Sequence, residues 1–119
     1  GLTAATWGDV AEPGVGQLIL AVARPSGKPM ATIGVVSAFS SASTRRGQSI
    51  DVIQTDVTLY PGFSGGALVD ARGQIVGLNS SALARGVSTA IGVGTVRRVL
   101  GALATLIGCS DVDAARRNP

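Results

Sequence analysis

The sequence predicts an all-β domain of six antiparallel strands, arranged as a barrel or a sandwich, with one α-helix at its C-terminal end. Three observations predict it. Apolar and β-branched runs of strand length alternate with Gly, Pro, Ser and Asp turn signals at short intervals. The 17 glycines follow no fixed period, which suits many tight turns and excludes a collagen repeat. Only the last apolar stretch changes from strand-like to helical spacing.

Residues 1–14 show no clear period. Trp7 stands among small residues, and Asp9, Glu12, Pro13 and Gly14 mark a turn, so the segment reads as a linker with Trp7 as a packing anchor. Residues 17–23 (QLILAVA) are continuously apolar, as in a strand packed on both faces. Residues 24–29 (RPSGKP) form a turn, and residues 30–39 (MATIGVVSAF) a second β-branched run. Residues 40–48 are polar, contain Arg45 and Arg46, and read as an exposed loop. Residues 49–54 (SIDVIQ) alternate, with Ile50 and Val52 on one face.

An irregular stretch, residues 55–66, ends in PGFSGG. A short strand at 67–69, a DARG hairpin turn at 70–73 and a return strand at 74–79 follow. Residues 84–86 turn again, and 87–93 (VSTAIGV) form the sixth strand. Val96, Val99, Leu100, Leu103 and Ile107 then recur at helical spacing. They predict an amphipathic helix over 95–107, with Thr95 as N-cap, Gly108 as stop, and the apolar stripe packed on the core. Residues 109–119 are a polar tail.

Composition removes several classes of function. With 45% hydrophobic and 14% charged residues the chain is not a disordered tail. No apolar run reaches membrane-span length. Cys109 is the single cysteine, so neither an internal disulfide nor a cysteine metal cluster forms, and Cys109 reads as an inert thiol. Histidine is absent, which excludes a His-ligated zinc and a His general base within this chain. No cofactor is expected. The net charge of +3 comes from nine Arg and Lys28 against seven acids. Arg45–Arg46, Arg97–Arg98 and Arg116–Arg117 are scattered and have no interleaved aromatics, so a nucleic-acid partner is not expected. Arg97 and Arg98 are expected on the outer face of the helix.

The chemistry concentrates in Gly62-Phe63-Ser64-Gly65-Gly66. A phosphate-cradling loop needs a Lys after its last Gly and then a helix, whereas Ala67 and a strand follow here. The G-x-S-x-G hydrolase elbow needs a helix after the serine and a later His, and both are missing. A third arrangement survives. The glycines allow a sharp loop that exposes one hydroxyl, with the N–H groups of Gly62 and Ser64 aimed into one hollow. Two such donors suit a tetrahedral oxyanion at about 2.7–3.1 Å. Ser64 is then a nucleophile beside its own oxyanion hole; the alternative is a tight-turn serine in an inactive barrel. Asp56 reads as a cap or turn acceptor for nearby backbone rather than as an organiser of the active loop.

Residues 53–67 (IQTDVTLYPGFSGGA) resemble the active-serine segment of the HtrA/Deg-type trypsin-like serine proteases. Residues 15–37 are similar to the opening strands of that family's second β-barrel, and the likeness runs on to Ile107. The resemblance implies a six-stranded antiparallel β-barrel of the trypsin-like type with a C-terminal α-helix, spanning residues 15–108. It implies a serine endopeptidase whose catalytic His and Asp lie in a first barrel, upstream of Gly1 in the intact protein. Without them this chain alone should not hydrolyse peptides.

By motif position, Thr58, Leu59, Tyr60 and Pro61 would line one wall of the primary pocket. Ser80, Ser81 and Ala82 would line another and pair with an extended polypeptide substrate, and Ala90 and Ile91 would stand near the floor or far wall. None is charged, which favours small apolar side chains. The implied partners are a polypeptide substrate, the missing N-terminal barrel and, through the apolar face a lone barrel exposes, a possible homo-oligomer. The implied location is outside the cytoplasm. Phe63 departs from the Asn or Asp that many relatives carry before the serine, which puts the order of the oxyanion loop in question. A catalytically inactive barrel that binds extended peptides is the competing function.

Overall fold

The structure, a computed structural model, describes residues 2–9, 13–81, 83 and 86–108. Six strands run in chain order as β1 (Leu18–Ala23), β2 (Met30–Ser43), β3 (Ser49–Thr55), β4 (Ala67–Asp70), β5 (Ile75–Ser80) and β6 (Ser88–Gly92), and α1 (Val93–Ile107) follows directly. The pairings among these six strands are all antiparallel, and the strands close into a barrel in the order β1, β2, β3, β6, β5, β4. Barrel rather than sandwich is therefore the outcome. Closure leaves no long unpaired edge, because β4 returns to β1 through Leu20↔Val69 and its neighbours.

Alternation decides what each strand buries. In β1, Ile19, Ala21 and Ala23 point inward and are buried, while Leu18 is 46% exposed. The continuously apolar run predicts cover on both faces; the inner face is buried, while on the outer face Leu20 and Val22 are half-buried and Leu18 is exposed. Val36 from β2, Ile53 from β3, Leu68 from β4 and Ala90 from β6 join Val57 and Phe63 to complete the core.

β2 is longer than the sequence suggests. Residues 40–43, expected as loop, pair with Val52, Asp51, Ile50 and Ser49 of β3. Their serines carry no strand signal, yet the ladder opposite them is intact, and the connecting turn shrinks to 44–48 with Thr44 N–H donating to the Gln48 carbonyl at 2.7 Å. A bulge between Val36 and Ala38 lets β2 serve two partners, β1 with its first half and β3 with its second. The linker is partly docked. Trp7 bridges to Ile75, with Gly8 N–H on the Ile75 carbonyl at 2.7 Å and Ile75 N–H on the Thr6 carbonyl at 2.8 Å.

The helix differs most from expectation. It starts at Val93, and its N-cap is Gly92, which offers no side-chain cap. Thr95 instead lies inside the first turn, 6% exposed, where its Oγ1 accepts the Asp51 N–H at 2.9 Å. Gly108 does end the helix, in the left-handed region, with its N–H on the Ala104 carbonyl. The apolar stripe is not core. Val99, Leu103 and Ile107 are 51%, 50% and 73% exposed, because the barrel is filled by its strands and by Val57 and Phe63, and α1 buries only Val93, Thr95 and Gly101. Arg98 is exposed and donates to the Ser49 carbonyl, but Arg97 is half-buried with its Nε enclosed, not on the outer face. The polar tail at 109–119, including Cys109, lies outside the described residues.

Candidate active site

Two tight turns build the loop that carries Ser64. The Phe63 N–H donates to the Tyr60 carbonyl at 3.1 Å, with Pro61 and Gly62 between them. Gly62 has φ 88°, and among the described residues only glycines have positive φ. Pro followed by a positive-φ Gly at the two central positions is a type II turn. The next turn repeats it. Gly66 N–H donates to the Phe63 carbonyl at 2.9 Å, across Ser64 and a Gly65 with φ 85°. Each glycine stands where a side chain would meet the left-handed penalty.

Phe63 belongs to both turns. Its N–H closes the first and its carbonyl closes the second. Its ring is fully buried in the barrel core and meets the Tyr60 ring edge-on, with centroids 5.8 Å apart and planes at 66°. The loop is thus pinned by an apolar anchor, the residue directly before Ser64. Its far side is tied to β5: Gly65 N–H donates to the Asn79 carbonyl, and Asn79 N–H to the Gly66 carbonyl, both at 2.8 Å. The Asn79 side chain, 3% exposed, donates from Nδ2 to the Ala67 carbonyl at 3.1 Å. Sequence reasoning missed Asn79 as a loop anchor; the signal was a lone amide ending the apolar run IVGL.

Ser64 itself is exposed. Its Oγ accepts the Ser81 N–H at 3.1 Å and lies 2.9 Å from the Ser81 Oγ. Among the described residues, neither the Gly62 N–H nor the Ser64 N–H is donated to a protein acceptor. An exposed hydroxyl therefore sits in a loop closed by two successive turns, with the backbone N–H of its own residue and that of Gly62 left without a protein acceptor.

The remaining expected site residues fall into two groups. Thr58, Tyr60 and Pro61 are exposed along the approach to the first turn, and Leu59 packs partly on the core. The Thr58 carbonyl accepts from Thr32 Oγ1 at 2.7 Å, which fixes this approach to β2. Ser80 is half-buried and Ser81 exposed at the end of β5; Ala82 lies outside the described residues. Ala90 is fully buried in the core, paired with Asn79, and Ile91 is half-buried opposite Leu78. Asp56 is a backbone acceptor, though not a sequence-local one: its Oδ1 takes the Val35 N–H at 2.6 Å, bracing the β2 bulge. A cavity of 380 Å³ opens beside the start of α1, lined by Leu18, Phe39, Asp51, Val76 and Val93, and among the described residues no expected site residue lines it.

Comparison with known proteins places the fold. Residues 1–78 match the family described as trypsin-like peptidase domain. The chain belongs to that family. Within the trypsin-like peptidases it is of the HtrA type. It is 44% identical over 85 residues to a serine protease Do-like HtrA of Lactobacillus helveticus, covering 68% of this chain and 21% of that protein. It is 38% identical over 97 residues to the serine protease PepD of Mycobacterium tuberculosis, covering 76% of this chain and 21% of that protein. Among solved structures, the HtrA-type protease AlgW with a decapeptide aligns with a TM-score of 0.68 at 33% identity, over 81% of this chain and 31% of that one. Deg5 aligns with a TM-score of 0.66 at 36% identity, over 79% and 45%. The chain spans about a fifth of the length of these curated relatives (21% in both).

Proposed function

We propose that this barrel supplies the nucleophile and the oxyanion hole of a serine endopeptidase, and that a His and an Asp from a first barrel of the intact protein complete it. The observation that carries the proposal is the exposed Ser64 at the head of the second type II turn, beside the two uncommitted amides of Gly62 and Ser64. In this reading the Ser64 Oγ attacks the scissile carbonyl carbon as its proton passes to the upstream imidazole. The carbonyl oxygen, now negative, accepts from the Gly62 and Ser64 N–H groups at about 2.7–3.1 Å. The imidazole returns the proton to the departing amine, leaving an acyl group on Ser64 for water to remove.

The substrate is an extended polypeptide. Thr58, Leu59, Tyr60 and Pro61 form one side of its pocket and Ser80 and Ser81 another, with Ala90 and Ile91 behind. With no ionised side chain among them, an Arg or Lys entering the pocket would lose its hydration without gaining a partner, so small apolar side chains are preferred. The work is done outside the cytoplasm. One of the structural relatives is the HtrA-type protease AlgW with a decapeptide, which supports a peptide as ligand.

The test is covalent labelling of the intact protein with a fluorophosphonate. Labelling that disappears in Ser64→Ala supports the assignment, and labelling that persists in that variant removes Ser64 from the mechanism.

A further inference from the structure

We propose that Ser81 is a positioning residue that holds the Ser64 hydroxyl in a resting orientation, from which it must be released before it can attack. This rests on the reading of Ser64 as nucleophile and adds a restraint on that nucleophile from within the same barrel.

A serine hydroxyl has one proton and two lone pairs. The Ser81 N–H already occupies one lone pair of the Ser64 Oγ, at 3.1 Å. The second contact, Oγ to Oγ at 2.9 Å, admits either hydroxyl as donor. If Ser81 donates, both lone pairs of the Ser64 oxygen are engaged and none is free for a carbonyl carbon. If Ser64 donates, its proton is directed at Ser81 instead of at a base. Either way the Oγ–Oγ contact opposes attack and must break first.

The surrounding structure makes this contact a defined one. The residues on each side of it are joined by the hydrogen bonds between Gly65, Gly66 and Asn79, so loop and strand end are held in register. Both serines are exposed, so a base or a substrate carbonyl arriving from a partner barrel has access to the pair. Ser81 thus sets how readily the nucleophile turns, while Gly62 and Phe63 set where it stands.

The experiment measures the second-order labelling rate of the intact protein with a small alkyl fluorophosphonate, which needs little of the substrate pocket. In that reaction the Ser64 oxygen bonds to phosphorus, fluoride leaves, and the hydroxyl proton goes to the base. Ser81→Ala keeps the backbone N–H and removes only the hydroxyl, so its rate is expected to rise by about two- to tenfold, the span of one neutral hydrogen bond. Ser81→Thr restores the hydroxyl and is expected to return the rate to the wild-type value. An unchanged or slower rate in Ser81→Ala, or a fast rate in Ser81→Thr, overturns the proposal. A wild-type protein that does not label, or labels equally in Ser64→Ala, defeats the assignment of Ser64 itself and is read independently of Ser81.

Discussion

The Asp56 carboxylate occupies the space that a side chain on residue 34 would need. A Cβ built on Gly34 collides with Asp56 Oδ1 and meets Val57 Cγ1 and the Val57 nitrogen at 3.0 Å each. Asp56 cannot withdraw freely, because the same Oδ1 holds the Val35 N–H at 2.6 Å where β2 changes partners. The lead into the Ser64 loop is therefore set by a close approach of backbone to carboxylate.

Gly34→Ala is expected to destabilise the barrel by about 1–3 kcal/mol, the usual cost of overfilling a packed site. The measurement is the urea midpoint at unchanged slope. In Gly34→Ala/Asp56→Ala the obstructing carboxylate is gone, so the double variant should lose less than the sum of the singles. Simple additivity would show that the two positions do not compete for space.

Gly62→Ala meets two obstacles at once. The residue has φ 88°, and a new Cβ would stand 2.7 Å from Pro25 Cβ. A left-handed non-glycine residue costs about 1–2 kcal/mol, and relief comes from rotating the Pro61–Gly62 peptide, which turns the Gly62 N–H away. Fluorophosphonate labelling of the intact protein should fall about a hundredfold, the order seen when one oxyanion donor is lost. A variant that labels at the wild-type rate would exclude the Gly62 amide as a donor.

Phe63 should matter for both stability and chemistry. Its ring is fully buried and it closes both turns. Phe63→Ala is expected to cost about 3–5 kcal/mol, as aromatic truncations in cores do, and to slow Ser64 labelling under conditions where the protein remains folded. Phe63→Leu keeps much of the apolar volume and should recover part of both. Thermal unfolding and labelling rates, taken together, separate loss of fold from loss of loop order.

On the helix, exposure predicts opposite results for a residue of the first turn and one of the third. Leu103, 50% exposed, should tolerate Gln within about 0.5 kcal/mol in this barrel. Thr95→Val leaves the Asp51 N–H, now bonded at 2.9 Å, without its acceptor at a part-buried site. That loss is worth about 1–3 kcal/mol. Chemical denaturation of the two variants side by side checks the contrast.

The strands were legible where side chains announce them. The run MATIGVV, the alternation of SIDVIQ and the DARG turn each carry a local signal, and β2, β3 and the β4–β5 hairpin stand there. Residues 40–43 carried none, since an exposed serine-rich ladder is specified by the strand opposite it. The stripe on α1 was legible as a periodicity but not as burial, because spacing says which residues share a face and not what that face meets.

The residues alone determined the loop that holds Ser64. A type II turn demands a positive-φ residue at its third position and accepts Pro at its second, so PGFSGG writes two such turns into the chain. What only the tertiary structure decided is everything that depends on distant partners: the closure of β4 on β1, the inward ring of Phe63, the tether to Asn79, and the meeting of Ser64 with Ser81 across 17 residues. Turn chemistry acts between neighbours in the chain, whereas burial and cross-strand contacts exist only once the barrel has closed.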